Sequence, residues 1–431
     1  MASTREPAFV APSAIIALDK RPLKETFTLP DLTPVQFDED ESTHHIKISL
    51  GTSPEEKQDN SHARYPRSKE EQDATLQPII EFVPLGRKAK ASHLQVKEDR
   101  ATLTEVLEIK AIAGHVSFKD LWSALYAFWI RRDEHERYPI LVGASFPNRT
   151  DIVRYFLNCG LGLRYPDAQG EFDVVLDRSA FWQGAGCPLS RSWLRAPEPS
   201  PKEFGDVMGT AFPLVQSFTR SNDPPVLTTH PLRPPKPSAG TIIYSRYVHS
   251  VKSHYQLTII DWRKEEHFSL YAKWQNSDRV NHGWRERGDE DHHRKYLQER
   301  EADPHSMGLL SSWDGEYAGY SEINWCKENG MNAFVGGMGD YDQGTHSFVG
   351  EEKFRGRYRF AHNMISLKHF CFLREFRTNI VIGEPRFDLD IIPLLSAYLP
   401  QSFRKEIELP HKRAVLFILH RDRFFSEGMF Y

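Results

Sequence analysis

The sequence predicts a mixed α/β chain of two lobes. Short apolar runs with strand patterning alternate with helical ones, a proline-rich belt divides the chain, and 39% hydrophobic with 12% aromatic residues suffice for a sizeable core in each half. At 431 residues, the usual domain size gives two or three domains, and two fit the pattern.

The first lobe spans residues 1–237. FDEDESTHHIKISLGTSPEEKQDNSHARYPRSKEEQDA, about 37–74, is polar and reads as a mobile insertion. SFKDLWSALYAFWIRR sets Phe118, Leu121, Trp122, Leu125 and Trp129 at helical spacing, with Ser117 as N-cap and Asp120 in the first turn. YPILVGAS reads as a buried strand around Ile140 to Ala144, IVRYFLNCGLGL as a short helix closed by Gly160, and FDVVLDR as a further strand. Eleven of the 28 prolines fall between Pro188 and Pro237, the composition of a semi-rigid surface linker.

The second lobe, 238–431, orders its elements more tightly. Strand YQLTIIDW precedes helix KEEHFSLYAKW, charged helix DEDHHRKYLQERE and strand YAGYSEINW. Strand THSFVG then leads through EEKFRGRYR into a long helix ending at HFCFLREF. Strand TNIVIGEP, helix LDIIPLLSAYL and strands KEIEL and RAVLFIL complete the chain.

The formal charge of -4 leaves no basic excess for a nucleic-acid partner, and no apolar run reaches the roughly 20 residues of a membrane span. Four dispersed cysteines give neither a disulfide framework nor a zinc clip. In DEDHHRK, His292 and His293 are consecutive on a helix and point apart, so no metal is expected and the run reads as a solvated face. No secretory signal is visible and the last residues, MFY, do not resemble an SKL-type peroxisomal address, so the expected location is the cytoplasm.

Alternation over Thr345 to Gly350 puts His346 and Phe348 on one strand face. The glycine turn that follows opens a helix, where unpaired amides, the dipole and Lys353, Arg355 and Arg357 suit a pyrophosphate. A solvated basic loop, with Gly356 relieving a turn, is the alternative.

The element order resembles the GNAT acetyltransferase fold, a central mixed sheet flanked by helices. WQNSDRV (Trp274 to Val280), DQGTHSFVG (Asp342 to Gly350), GEPRFD (Gly383 to Asp388) and LPHKRA (Leu409 to Ala414) resemble, in order, motifs of the siderophore-biosynthetic branch of aerobactin and mycobactin acyltransferases. The similarity is greater to the fungal hydroxyornithine acyltransferases. RSAFWQGAG (Arg178 to Gly186) resembles their N-terminal half, a degenerate second copy of the fold. Three departures fall on the acceptor side: no proline in WQNSDRV, Ala272 two residues before the tryptophan, and Leu389 after Asp388.

The resemblance implies an acyl-CoA-dependent acylation of N5-hydroxy-L-ornithine to a hydroxamate in siderophore biosynthesis. Acetyl-CoA is favoured as donor over anhydromevalonyl-CoA, other enzymes of the pathway are potential partners, and another amine acceptor or a non-catalytic binding protein is the alternative. The implied cofactor residues are Phe348, Val349, Lys353, Arg355, Gly356, Arg357 and Tyr358. His346 would accept a proton or bind the hydroxylamine oxygen, with Asp388 or Asp342 as its carboxylate partner; Glu322 stands where this fold often carries its base, and Tyr398 could protonate the thiolate. Trp274, Asn276, Arg279 and Trp284 would line the acceptor pocket, Arg279 gripping an amino-acid carboxylate, with a capped helix end and buried indoles as the alternative.

Overall fold

A computed structural model describes residues 22–52, 75–91, 103–132, 134–164, 172–195, 213–218 and 225–426. The chain forms two compact units, Ile16–Trp193 with Arg246–His254, and Leu194–Ser245 with Tyr255–Glu427. The division thus falls at 193/194, not at 237/238.

In the first unit eight strands form one sheet: β1 (Lys24–Thr28), β2 (Pro34–Glu39), β3 (Ile46–Leu50), β4 (Gln77–Lys90), β5 (Leu103–Ala111), β6 (Arg137–Val142), β7 (Gly162–Leu163) and β8 (Val174–Asp177). Their order is β1-β2-β3-β4-β5-β6-β8-β7. Among the described residues of this sheet, only β5 and β6 pair in parallel. α1 (Phe118–Arg131) covers this sheet and buries every residue from Leu121 to Arg131. The expected cap is present, since Ser117 accepts from Asp120 N. α2 (Arg149–Asn158) and α3 (Arg178–Trp182) follow β6 and β8. Phe181 and Trp182, from the RSAFWQGAG motif, are buried against Trp122, Tyr126 and Trp193. They are core.

The expected insertion at 37–74 is corrected in part. Residues 37–39 end β2 and 46–50 form β3, because Phe37, Ile46, Ile48 and Leu50 turn into the core between polar neighbours. Residues 53–74 lie outside the described residues.

The second unit begins with a ribbon, β9 (Leu214–Phe218) and β10 (Leu227–Pro231). This part of the proline-rich belt is anchored. Arg233 is buried, its Nε and Nη2 donating to the two carboxylate oxygens of Glu328 at 2.7 and 2.6 Å, and Lys236 donates to the carbonyls of Arg300, Glu301, Asp303 and Ser306. The remaining belt residues, 196–212 and 219–224, lie outside the described residues.

Then come β11 (Ile242–Val248) and β12 (Ser253–Ile259), of which residues 246–254 group with the first unit, α4 (Glu265–Gln275), α5 (Asp278–Trp284), α6 (Glu290–Ala302), β13 (Ser306–Trp313), β14 (Glu316–Trp325) and α7 (Met331–Val335). After these the chain runs β15 (Gln343–Val349), α8 (Arg357–Arg374), β16 (Ile380–Gly383), α9 (Ile391–Tyr398), β17 (Ser402–Leu409), β18 (Lys412–His420) and α10 (Arg421–Ser426).

The strand order, β11-β12-β13-β14-β15-β16-β18-β17, repeats that of the first sheet position for position, again with one parallel pair at the fifth and sixth strands. The topology is therefore duplicated. No helix among the described residues is long and apolar enough to cross a membrane.

Candidate active site

β15 pairs with β14 along its whole length, from Trp325↔Gln343 to Gly319↔Val349. With its other neighbour, β16, it pairs only at Gln343↔Val381 and Gly344↔Ile382. From Thr345 onward the two strands part. The fork opens into a cavity of about 1220 Å³ whose walls include His346, Phe348, Val349, Gly356 and Glu384.

The mouth of α8 also opens on that cavity. Its N-cap is Gly356, at φ +127° and ψ 150° with no side-chain cap, and Phe360 is the first residue to donate back, to the Gly356 carbonyl at 2.9 Å. The amides of the first turn therefore lack intrahelical acceptors. In the first unit the matching helix, α1, fills its own mouth with Ser117. Arg355, Gly356 and Arg357 line the cavity, whereas Lys353 and Tyr358 do not. Lys353 is paired directly with Glu316, and the Tyr358 hydroxyl accepts from Arg357 at 3.2 Å.

His346 is the centre of charge. Across the fork its Nε2 hydrogen-bonds Glu384 Oε1 directly, just beyond the end of β16. In register on β14, Glu322 places Oε2 at 3.9 Å from Nδ1, too far for a hydrogen bond, so that attraction is Coulombic. Glu322 is itself held by the hydroxyls of Tyr296 at 2.7 Å and Tyr320 at 2.9 Å, which donate to its Oε1. Lys412 reaches Glu384 from the β17–β18 turn, 3.7 Å from Oε1 and 2.8 Å from its carbonyl.

These contacts fix the charge states. Burial favours the neutral imidazole, but 35% of the His346 side chain remains open to the cavity and two carboxylates face it, so its pKa is pushed up to about 9. For Glu384 burial acts upward, yet His346 and the nearby Lys412 and Lys368 hold it down at about 2. Glu322 is likewise buried and likewise held below the usual carboxylate range by His346 and Arg300. At neutral pH the site is a cation between two anions, and its imidazolium can donate but not accept. His411, also on the cavity wall, is shifted the other way, down, by burial and by Lys412.

Several residues singled out from the sequence do not meet His346. Asp388 lines the cavity but pairs with Arg386 at 3.2 and 3.3 Å, and Asp342 accepts from the amides of Gly339, Asn379 and Ile380, so Glu384 and Glu322 replace both as carboxylates at His346. Trp274 is buried, with Nε1 donating to Glu351 at 2.8 Å, and Asn276 accepts from Gly288 N at 3.1 Å; neither lines the cavity. Arg279 does line it, but is committed to Glu352 at 2.7 Å and the Gly350 carbonyl at 2.8 Å. Trp284 alone of the four stands beside the centre, its ring 6.1 Å from His346 and 5.0 Å from Phe348. Tyr398 is buried and lies off the cavity wall. The DEDHHRK run is only half solvated, since His293 is fully buried while His292 faces Glu286 at the surface.

Glu384, Lys368, His411 and Lys412 were missed as site residues. Three of them sit inside GEPRFD and LPHKRA, so the motifs held the signal. Lys368 had none: it is one buried cation in an apolar stretch.

A strand fork leading from an open helix mouth to a buried ionised cluster defines an acyltransferase, and comparison with known proteins agrees. The acetyltransferase (GNAT) domain family matches residues 263–409. Acyltransferase fer5 of Mycosarcoma maydis is 52% identical over 351 residues, 81% of this chain and 79% of that one. Hydroxyornithine transacylase SID3 of Ajellomyces capsulatus is 35% identical over 324 residues, 71% of each chain. N(5)-hydroxyornithine:cis-anhydromevalonyl coenzyme A-N(5)-transacylase SIDF of Beauveria bassiana is 39% identical over 261 residues, 58% of this chain and 57% of its own. The chain belongs to the GNAT acetyltransferases, in the group of fungal hydroxyornithine acyltransferase-like proteins.

Proposed function

We propose that this enzyme transfers an acyl group from an acyl-CoA to the hydroxylamine nitrogen of N5-hydroxyornithine, in the cytoplasm, making a hydroxamate for a siderophore. The uncapped amides of α8, with Arg355 and Arg357, suit the coenzyme's pyrophosphate, and the fork suits its pantetheine arm. That path delivers the thioester to His346.

One observation carries the choice of acceptor: His346 stands between two buried carboxylates, hydrogen-bonded to Glu384 and 3.9 Å from Glu322, an arrangement that favours its protonated form. An alkylammonium with a pKa near ~10.4 would need a base to become a nucleophile, and an imidazolium supplies none. A hydroxylamine arrives already neutral. In the transfer its nitrogen bonds the thioester carbon and the carbon–sulfur bond breaks. Once bonded to carbon that nitrogen is cationic and acidic enough to give its proton to a carboxylate of the cluster, while His346 gives one to the departing thiolate and is reprotonated by that carboxylate, leaving the cluster's charge unchanged. His346 serves as the donor to oxygen or sulfur, a cation placed where negative charge develops.

The names of the SID3 and SIDF relatives support the same acceptor. Acetyl-CoA is the first donor to try, and a cavity of about 1220 Å³ also admits a branched thioester such as anhydromevalonyl-CoA. Association with other enzymes of the pathway belongs to the same reading.

The test is thiol release from acetyl-CoA and anhydromevalonyl-CoA with N5-hydroxyornithine against ornithine. Release with the hydroxylated acceptor and at least about tenfold less with ornithine is expected. Equal rates with both would return the reading to a general amine acetyltransferase; no release with either would remove the activity.

A further inference from the structure

Lys368 lies in mid-helix on α8, 2% exposed, in a position that an apolar residue could fill. Burying an ammonium is costly unless it is well paired. Here it donates to the Thr345 hydroxyl on β15 and, at 3.4 Å, to the Ile382 carbonyl on β16. Those are the first unpaired residue of one strand and the last paired residue of the other. The same ammonium stands 4.0 Å from where a Cβ on Gly383 would sit, next to Glu384, and its charge helps keep Glu384 ionised.

We propose that Lys368 is a positioning residue for acyl transfer: it pins the fork at the point where β15 and β16 separate, and its positive charge, beside Gly383, adds to that of Lys412 in holding Glu384 against His346. This rests on the acyl-CoA reading above. The groups facing Lys368 are Thr345, Glu384, Cys326 and, on its own helix, Cys371; those facing the His346–Glu384 pair are Glu322, Lys412 and His411. Burial lowers the Lys368 amine to about 8, so at pH 7 most of it still carries the charge the role requires.

The experiment compares wild type, K368M and K368R by calorimetric binding of acetyl-CoA, thiol-release kinetics with N5-hydroxyornithine across pH, and melting curves. K368M is expected to lower kcat by about tenfold or more while acetyl-CoA affinity changes by less than about threefold. Its alkaline limb should move to higher pH, because wild type loses the Lys368 charge as pH rises through about 8 and K368M has no such group to titrate. K368R should recover much of kcat and, with a guanidinium that stays charged, hold it to higher pH than wild type. A purely structural lysine would lower the melting temperature and leave the limb in place.

Wild-type kcat and an unmoved limb in folded K368M overturn the pin alone; failure of wild type to bind acetyl-CoA overturns the functional reading and the pin with it. Should K368M not fold, T345V removes one acceptor and keeps the cation. A smaller fall in kcat is then expected, and unchanged kcat overturns the proposal.

Discussion

His346 on β15 and Glu384, the residue that follows β16, face each other where the two strands have parted, and one direct hydrogen bond spans the gap. The pairing makes stability depend on pH. The His346 pKa rises from an ordinary value of about 6.5 to about 9, so its contribution is complete below 6.5 and is lost as pH climbs through about 9. Glu384 is lowered to about 2, so its contribution is complete above its ordinary value near 4.5 and is lost as pH falls toward 2. Between pH 7 and 10 the melting temperature of wild type should therefore fall more steeply than that of H346Q. Parallel curves would mean that the imidazole is not held charged.

Replacing Glu384 separates it from Asp388, the partner expected from the sequence. E384Q keeps the shape and removes the charge, and should lower kcat by about a hundredfold or more, the scale of a lost proton-handling group. D388N breaks only the contact to Arg386 and should leave kcat within about threefold. Thiol-release kinetics on the two variants check the assignment, and the reverse ranking would restore Asp388.

Gly356 sits at φ +127° and ψ 150°, a region that only glycine occupies freely, although a Cβ there would meet nothing within 4 Å. G356A thus acts through the backbone alone. It should cost about 1–3 kcal/mol at the helix mouth, or reshape the turn, and raise the KM for acyl-CoA by about tenfold. An unchanged KM in calorimetry-matched, folded G356A would place the pyrophosphate elsewhere.

Arg279 braces the loop ahead of α8 through Glu352 and the Gly350 carbonyl, and so is not available for an acceptor carboxylate. R279A should raise the KM for acyl-CoA by about two- to fivefold, as expected for a part-exposed pair, and leave the KM for N5-hydroxyornithine unchanged. Steady-state kinetics with each substrate varied in turn decide it. A rise confined to the acceptor would reinstate the sequence-based role.

The second unit was largely legible because its elements are regular and closely spaced: the periodicity of YQLTIIDW, KEEHFSLYAKW and RAVLFIL matches β12, α4 and β18. Ser117 announced the start of α1 by its side chain alone. The strand IKISL is not legible inside a charged stretch, where five alternating residues are too short a signal against their surroundings. Arg233 and Lys236 were hidden because a proline-rich composition says that a segment is stiff and nothing about where it is tied down. At the site, His346 stood out as a strand histidine beside a glycine turn. Its true carboxylates did not, since Glu384 and Glu322 are 38 and 24 residues away and meet it only through the pairing of β14, β15 and β16.

The central claim is that His346 is a standing cation, so the enzyme must be handed a nucleophile that is already neutral. Titration of isotope-labelled histidine by NMR, with H346Q identifying the resonance, tests this most directly. A pKa near 9 with both ring nitrogens protonated at pH 7 is predicted. A His346 that titrates at or below about 6.5, the ordinary imidazole range, would contradict the account.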